Sequence, residues 1–320
     1  MKRYSLSLSA LALGGLLTMT APAISAPKVV TSIKPVHSLV LGVMQGVGEP
    51  TLLIKSGGSP HSYSLRPSEA RALQEADLVF WVGERIETFL EKPLDTLAEG
   101  ARVITLSDAE GVALLEYRED EGWEAHDHSD HAETEHGDDG HAEAEHGDHN
   151  MHVWLDPHNA EAIVRAAVAA LQKADAANGA RYAENGKAVI ARIAAMDADI
   201  QARLAPVKDV PYLVFHDAYQ YFEAHYGTRA VGSITLSPER APGAKRIAAL
   251  RDRIVDSGAA CVFSEPQFEP ALVATLVEGT VAKTSVLDPL GVDLPAGPEA
   301  YFLLMESLAD SLVTCLKPTT

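Results

Sequence analysis

The feature that most constrains this chain is an alternation, met twice, of short β-branched or apolar runs with segments of helical period. Lys28–Ile33, Thr51–Ile54, Asp77–Val82 and Arg102–Leu106 are the first set of runs, and the stretches after them are built for helices. The run DLVFWV at Asp77–Val82 is decisive, because an unbroken apolar strand must be covered on both faces. Helices are expected over Val36–Val47, Pro67–Ala76 and Ile86–Leu97, with Pro67 at a first helical position. Strand–helix alternation of this kind folds as a parallel sheet with helices on its faces. A second set follows: strands over Tyr212–Phe215, Ala230–Ile234, Ala260–Ser264 and Thr284–Leu287, and helices over Tyr219–Tyr226, Pro242–Ser257, Glu269–Glu278 and Glu299–Leu316.

Two helices are expected between the sets. The first starts at Asp156-Pro157, a capping acid before an N1 proline, and runs to about Asp175. The second, Gly179–Leu204, carries Tyr182, Val189, Ile193, Met196, Ile200 and Leu204 on one stripe. It lacks the glycine–serine composition of a flexible linker and reads as a semi-rigid spine. Gly186 interrupts it at a cost of roughly 1 kcal/mol relative to alanine. The fold class is therefore α/β: two α/β domains of similar plan joined by a long helix. Residues 27–177 form the first domain, 178–205 the linking helix and 206–320 the second domain. Ligands of open α/β sheets bind beyond the carboxyl ends of the strands, so the expected site is the cleft between the domains.

Export is expected from the first residues. Lys2 and Arg3 precede a short apolar core, Leu6–Met19, and Ala21-Pro22-Ala23 is a small-residue cleavage site. Residues 1–23 are read as a signal peptide; a cut after Ala26 is the alternative. The core is too short to span a bilayer, and no membrane insertion is expected of the mature chain. Cys261, in a predicted strand, and Cys315, in a predicted helix, are the only cysteines. In an exported protein they are expected to pair, contributing on the order of 2–4 kcal/mol.

The run Glu116–His149 resembles nothing else in the chain. It holds seven histidines and fourteen acids against one arginine, and thus thirteen of the nineteen net negative charges. Such a segment cannot bury enough apolar surface to order itself. Its composition suits the weak collection of cations by His126, His128, His131, His136, His141, His146 and His149. The same acidity argues against nucleic acid and anionic membrane as partners.

Six histidines lie outside that tight cluster: His37, His61, His152, His158, His216 and His225. His61, His152 and His216 stand in loops or at strand ends that can reach a shared cleft. Three neutral imidazoles with a fourth open or carboxylate position suit zinc; the competing reading for each is a hydrogen-bonded loop histidine. His37, His158 and His225 sit in helices or helix starts and read as structural.

Several long strings resemble the zinc-specific solute-binding proteins of bacterial ABC importers, the ZnuA family. They are SPHSYSLRPSEARALQEADLVFWVG at Ser59–Gly83, NMHVWLDP at Asn150–Pro157, VFHDAYQYFEAHYG at Val214–Gly227, PGAKRIAALR at Pro242–Arg251, CVFSEPQF at Cys261–Phe268 and LDPLG at Leu287–Gly291. A histidine- and acid-rich insert before the second string is also a mark of that family. The resemblance spans nearly the whole mature chain. It implies two Rossmann-like domains on a rigid helix and a metal ion bound between them. It also implies a periplasmic location and delivery to a membrane permease driven by an ATPase subunit. It places the metal ligands at His61, His152 and His216 and the disulfide at Cys261–Cys315. Some members carry a glutamate immediately before the first histidine; here Pro60 stands there and offers no donor. The fourth position is then open to Asp288 of the LDPLG string, to water or to a loop histidine.

Few oxygen donors make calcium and magnesium poor candidates, and zinc fits best, with copper and nickel as competitors. The expected function is capture of Zn2+ by a monomeric carrier. A carrier of another ion such as Mn2+ is the alternative. A zinc hydrolase or hydratase is a further reading, since three histidines and a water are also a catalytic set. Against it, there is no HExxH or nucleophile elbow, and Glu265 is the nearest candidate base. A surface adhesin of this fold would predict a lipid anchor, for which no cysteine stands near the amino terminus.

Overall fold

The structure is a computed structural model that describes residues 26–55, 57–118, 123, 149–235, 242–268 and 270–318. The expected signal peptide and His126, His128, His131, His136, His141 and His146 lie outside the described residues.

Two four-stranded parallel sheets form, and both have the same strand plan. The first contains β1 (Val29–Thr31), β2 (Thr51–Leu52), β3 (Leu78–Trp81) and β4 (Arg102–Thr105), in the order β2-β1-β3-β4. The second contains β7 (Tyr212–His216), β8 (Ala230–Thr235), β9 (Cys261–Ser264) and β10 (Lys283–Val286), in the order β10-β9-β7-β8. Taken from its first strand, each sheet reads second, first, third, fourth. β3 is buried along its whole length, as its unbroken apolar run requires.

The helices are α1 (Lys34–Met44), α2 (Pro67–Gln74), α3 (Glu91–Leu97), α4 (Pro157–Ala174), α5 (Gly179–Leu204), α6 (Gln220–Tyr226), α7 (Ala244–Ser257), α8 (Pro270–Val277) and α9 (Ala300–Leu316). The helix expected over Ile86–Leu97 is shorter than its periodicity suggests. A 3-10 turn occupies Thr88–Leu90, and α3 begins only at Glu91. Pro93 explains this: its missing N–H is harmless only within a first turn.

α5 is the spine. Its buried residues Tyr182, Gly186, Val189, Ile193, Met196, Ile200 and Leu204 form the expected stripe. At 1.5 Å per residue its 26 residues extend roughly 39 Å. Gly186 has a packing reason. A Cβ there would stand 2.4 Å from Val168 Cγ2 of α4, so the glycine lets two helix backbones approach. α5 also packs on α1 and on α9, which ties the first sheet's layer to the second. One continuous apolar core consequently runs from Val29 and Phe80 through α5 to Phe263 and Tyr301. Smaller clusters cover the outer faces of the two sheets.

Polar contacts reinforce the junction. The Lys34 ammonium, at the start of α1, donates to the carbonyls of Gly291, Val292 and Leu294 at 2.5, 2.8 and 2.7 Å. Trp154 donates its indole N–H to Pro289 O at 2.8 Å, and Tyr301 donates its hydroxyl to Trp154 O at 3.1 Å. Cys261 and Cys315 form a disulfide that joins β9 to the end of α9.

One element has no counterpart in the expected plan. β5 (Leu115–Glu116) and β6 (His149–Asn150) pair antiparallel and close the base of the acidic run. Among the described residues no helix is long and apolar enough to cross a membrane.

Candidate metal centre

Three imidazoles arrive from three different elements. His61 lies in the loop after β2. That loop is held to α2 through Glu69, which accepts the Tyr63 hydroxyl at 2.9 Å and the Arg66 N–H at 2.8 Å. His152 follows β6 and precedes the 3-10 turn Val153–Leu155, whose side chains are all buried. His216 is the last residue of β7, at the carboxyl end of its sheet. The ring centroids are 5.5 Å (His61–His152), 5.7 Å (His61–His216) and 5.1 Å (His152–His216) apart. One donor nitrogen from each ring falls within 4.8 Å of the others. A narrow cavity lined also by Pro60, Gln267, Phe268 and Leu290 holds the cluster.

The rings are oriented from behind. Asn150 Oδ1 accepts from His152 Nδ1 at 2.8 Å and from the His152 backbone N–H at 3.1 Å. The Asn150 amide nitrogen donates to Asp217 O at 2.6 Å, which fixes the orientation of the carboxamide. His152 Nδ1 therefore carries the proton, and Nε2 carries a lone pair. Glu265 Oε1 stands 2.7 Å from His216 Nδ1 and sets the same tautomer there. The two Nε2 atoms then face one another at 3.3 Å. Donors at 2.0–2.1 Å from a tetrahedral ion lie about 3.3–3.4 Å apart, so the spacing already suits a shared cation. Burial, and then the neighbouring His216 and His61, hold the His152 pKa well below its ordinary 6.5. At neutral pH that ring is neutral, as a ligand must be.

Asp288 stands outside this group. Its Oδ1 accepts the Leu290 and Gly291 N–H groups at 3.0 and 2.9 Å, and its Oδ2 accepts Val292 N–H at 2.5 Å. The carboxylate caps the turn that Lys34 grips, and the structure does not bring it to the three histidines as a fourth donor. His149 is placed in β6 opposite Glu116 and belongs to no group of donors among the described residues. His37 is buried and shares a hydrogen bond of 3.1 Å with Thr31 Oγ1, the structural role expected of it. His158 and His225, expected to be structural, stand together beside Asp156.

The partners behind the rings are not evident from the sequence. Asn150 sits two residues before His152, and nothing in that spacing marks it as a partner of the ring. Glu265 reads from the sequence only as a candidate base for hydrolysis. It stands on the ring nitrogen of His216 opposite the one that faces the cluster, where it orients the ligand. A third missed residue, Arg118, donates to Asp217 Oδ2 at 3.1 Å, to Asp217 Oδ1 and to Glu223 Oε2 at 2.5 Å. Its guanidinium also lies 3.4 Å over the Trp123 ring. Arg118 thereby fastens the start of the acidic run to the residue next to His216.

Two parallel sheets of one plan, joined by a helical spine and with three histidines gathered in a narrow cavity, define a two-lobed solute-binding fold. A solved crystal structure of ZnuA shares it, with a TM-score of 0.76 at 20% identity, covering 91% of this chain and all of that one. The family model described as "Zinc-uptake complex component A periplasmic" (ZnuA) matches residues 29–315. The high-affinity zinc uptake system protein ZnuA of Brucella abortus (strain 2308) is 49% identical over 304 residues, covering 90% of this chain and 91% of that protein. The protein of the same name from Yersinia pestis is 37% identical over 294 residues, with 90% and 91% covered. The chain belongs to the ZnuA family, whose members are solute-binding transport proteins rather than enzymes.

Proposed function

We propose that this protein captures Zn2+ in the periplasm and delivers it to the permease of an ABC importer driven by an ATPase subunit. His61, His152 and His216 hold the ion, and water or a histidine of the acidic run completes its coordination. The observation that carries this reading is the convergence of three imidazoles, two of them with Nδ1 fixed by Asn150 and Glu265 so that Nε2 faces inward. An all-nitrogen set favours zinc over manganese, which prefers more carboxylate and higher coordination number. The name carried by the family and its relatives supports the same ion. In this reading residues 1–23 are removed on export, residues 27–177 and 206–320 are the two lobes, and 178–205 link them. Relative motion of the lobes then exposes or encloses the ion for the permease.

The test is zinc affinity of the mature chain, measured by competition with a chelator. His61→Ala, His152→Ala and His216→Ala are each expected to weaken one tight equivalent by at least about tenfold. Tight binding unchanged in all three variants overturns the site.

A further inference from the structure

A second set of metal-ligating side chains stands where α4, α5 and α6 meet. Asp156 caps α4, accepting the His158 N–H at 2.7 Å through Oδ1. His158 Nδ1 lies 3.5 Å and His225 Nδ1 3.7 Å from that same oxygen. The two rings are 4.9 Å apart, and one donor atom from each of the three residues falls within 4.8 Å of the others. Asp197, on α5, stands 2.7 Å from His225 Nε2. An ionised carboxylate only accepts, so His225 Nε2 donates, and in the neutral ring Nδ1 carries the lone pair. That nitrogen lies within reach of Asp156 and His158. A carboxylate behind a histidine that faces other donors is the arrangement that orients a metal ligand.

We propose that Asp156, His158 and His225 form a second site, distinct from the three-histidine cluster, for a divalent transition-metal ion such as Zn2+. Two imidazole nitrogens and one carboxylate oxygen are a donor set for zinc, nickel or copper, and a poor one for calcium or magnesium. The two separations from Asp156 Oδ1 need to contract by only a few tenths of an ångström to reach the roughly 3.3 Å of donors around a tetrahedral ion. The His158 side chain is 73% exposed, so water can fill the remaining positions and the ion can enter directly from solvent. Asp156 and Asp197 together balance the two charges of the ion. Fewer imidazoles and open access make this site weaker than the buried cluster. An ion here would pin the start of α4, four residues after His152, to α6, which follows His216. The competing account is a protonated His225 held by two carboxylates, and it binds no metal.

Zn2+ alone is the probe, with the full mature chain. Crystals grown with several equivalents of zinc and measured on both sides of the zinc absorption edge are expected to show an anomalous peak among Asp156, His158 and His225. His158→Ala should erase that peak and leave any peak at His61, His152 and His216. In solution, calorimetric titration of His158→Ala and His225→Gln should each show one fewer zinc equivalent, with the tight equivalent unchanged. Because His158 is exposed, its substitution leaves the fold intact, which an unchanged unfolding midpoint verifies. No peak at saturating zinc overturns the proposal. So does a peak in the crystal with an unchanged count in solution, which would mean binding at crystal concentration only. The two sites are read by separate peaks and separate affinities, so failure here leaves the three-histidine reading standing, and the converse also holds.

Discussion

Glu265 allows the orientation of the ligand rings to be tested without touching a ligand. Its side chain is almost wholly buried, and its Oε1 meets His216 Nδ1 at 2.7 Å. The carboxylate does two things for the ring: it fixes the tautomer that turns Nε2 inward, and it makes that nitrogen a better donor. Glu265→Gln preserves an oxygen that can accept from Nδ1 but removes the charge. Glu265→Ala removes both. Loss of such a partner typically weakens metal affinity by about 10- to 100-fold, or roughly 1.4 to 2.7 kcal/mol. Glutamine is expected near the low end of that range and alanine near the high end. Chelator competition at pH 7.5 measures both, with unfolding curves of the metal-free proteins as the control for fold. If Glu265→Ala is folded and binds zinc within twofold of the parent, the orientation argument is wrong. If Glu265→Gln is as weak as Glu265→Ala, charge and not ring geometry is the operative factor.

Arg118→Met is expected to cost about 3–5 kcal/mol at pH 7.5, because it strands two buried carboxylates. Burial already raises the Glu223 pKa, and Arg118 is the main group opposing that rise. The loss should therefore shrink as pH falls and Glu223 takes up a proton; a pH-independent loss in urea unfolding refutes this. Asp288→Asn should lower stability by about 1–3 kcal/mol through its weakened turn cap and leave tight zinc affinity unchanged. A large fall in affinity restores Asp288 as a ligand. Glu87 is fully buried and accepts the Val82 N–H at 2.6 Å, yet burial pushes its pKa up to about 7 from 4.5. Folding thus favours the protonated acid, so its contribution is fully present below pH 4.5 and is lost as pH rises through 7. Glu87→Gln should stabilise the protein by up to about 3 kcal/mol at pH 8 and by little at pH 5, and equal effects at the two pH values refute the assignment. Deletion of residues 124–148, keeping Arg118, Trp123, His149 and Asn150, should reduce the total zinc bound and spare the tight equivalent; loss of the tight equivalent refutes the separation of the two roles.

Much of the fold was legible because it depends on periodicity. The unbroken run of β3 and the stripe of α5 each leave one buried solution, and each was placed within a residue or two. Gly186 looked like a defect because a helix read alone cannot show that Val168 of another helix needs its space. Asp288 carries a related ambiguity. A carboxylate beside a cleft can ligate a metal or cap a turn, and only the positions of the Leu290, Gly291 and Val292 N–H groups distinguish the two. His158 and His225 read as unrelated helix residues because they are 67 positions apart in sequence, and only the crossing of α4 and α6 makes them neighbours.

The base of the acidic run was the least legible part, and it changes how that run relates to the cluster. β5 and β6 are two residues each, too short for any period to register. They are anchored from the opposite lobe. The Tyr221 hydroxyl accepts the Leu115 N–H at 3.0 Å and donates to Asn150 O at 2.6 Å, while Arg118 grips Asp217 and Glu223. Asn150 is at once the last residue of β6 and the group that fixes His152 Nδ1, and its own amide is fixed by Asp217, the neighbour of His216. The ends of the run are thus built into the hydrogen bonds that aim two of the three imidazoles. Among the described residues, the groups that make those bonds lie at the two ends of the run or outside it. Asn150 acts directly on a ligand ring, and Arg118 holds the Asp217 and Glu223 carboxylates beside His216, so substitutions at these two positions are expected to disturb the cluster.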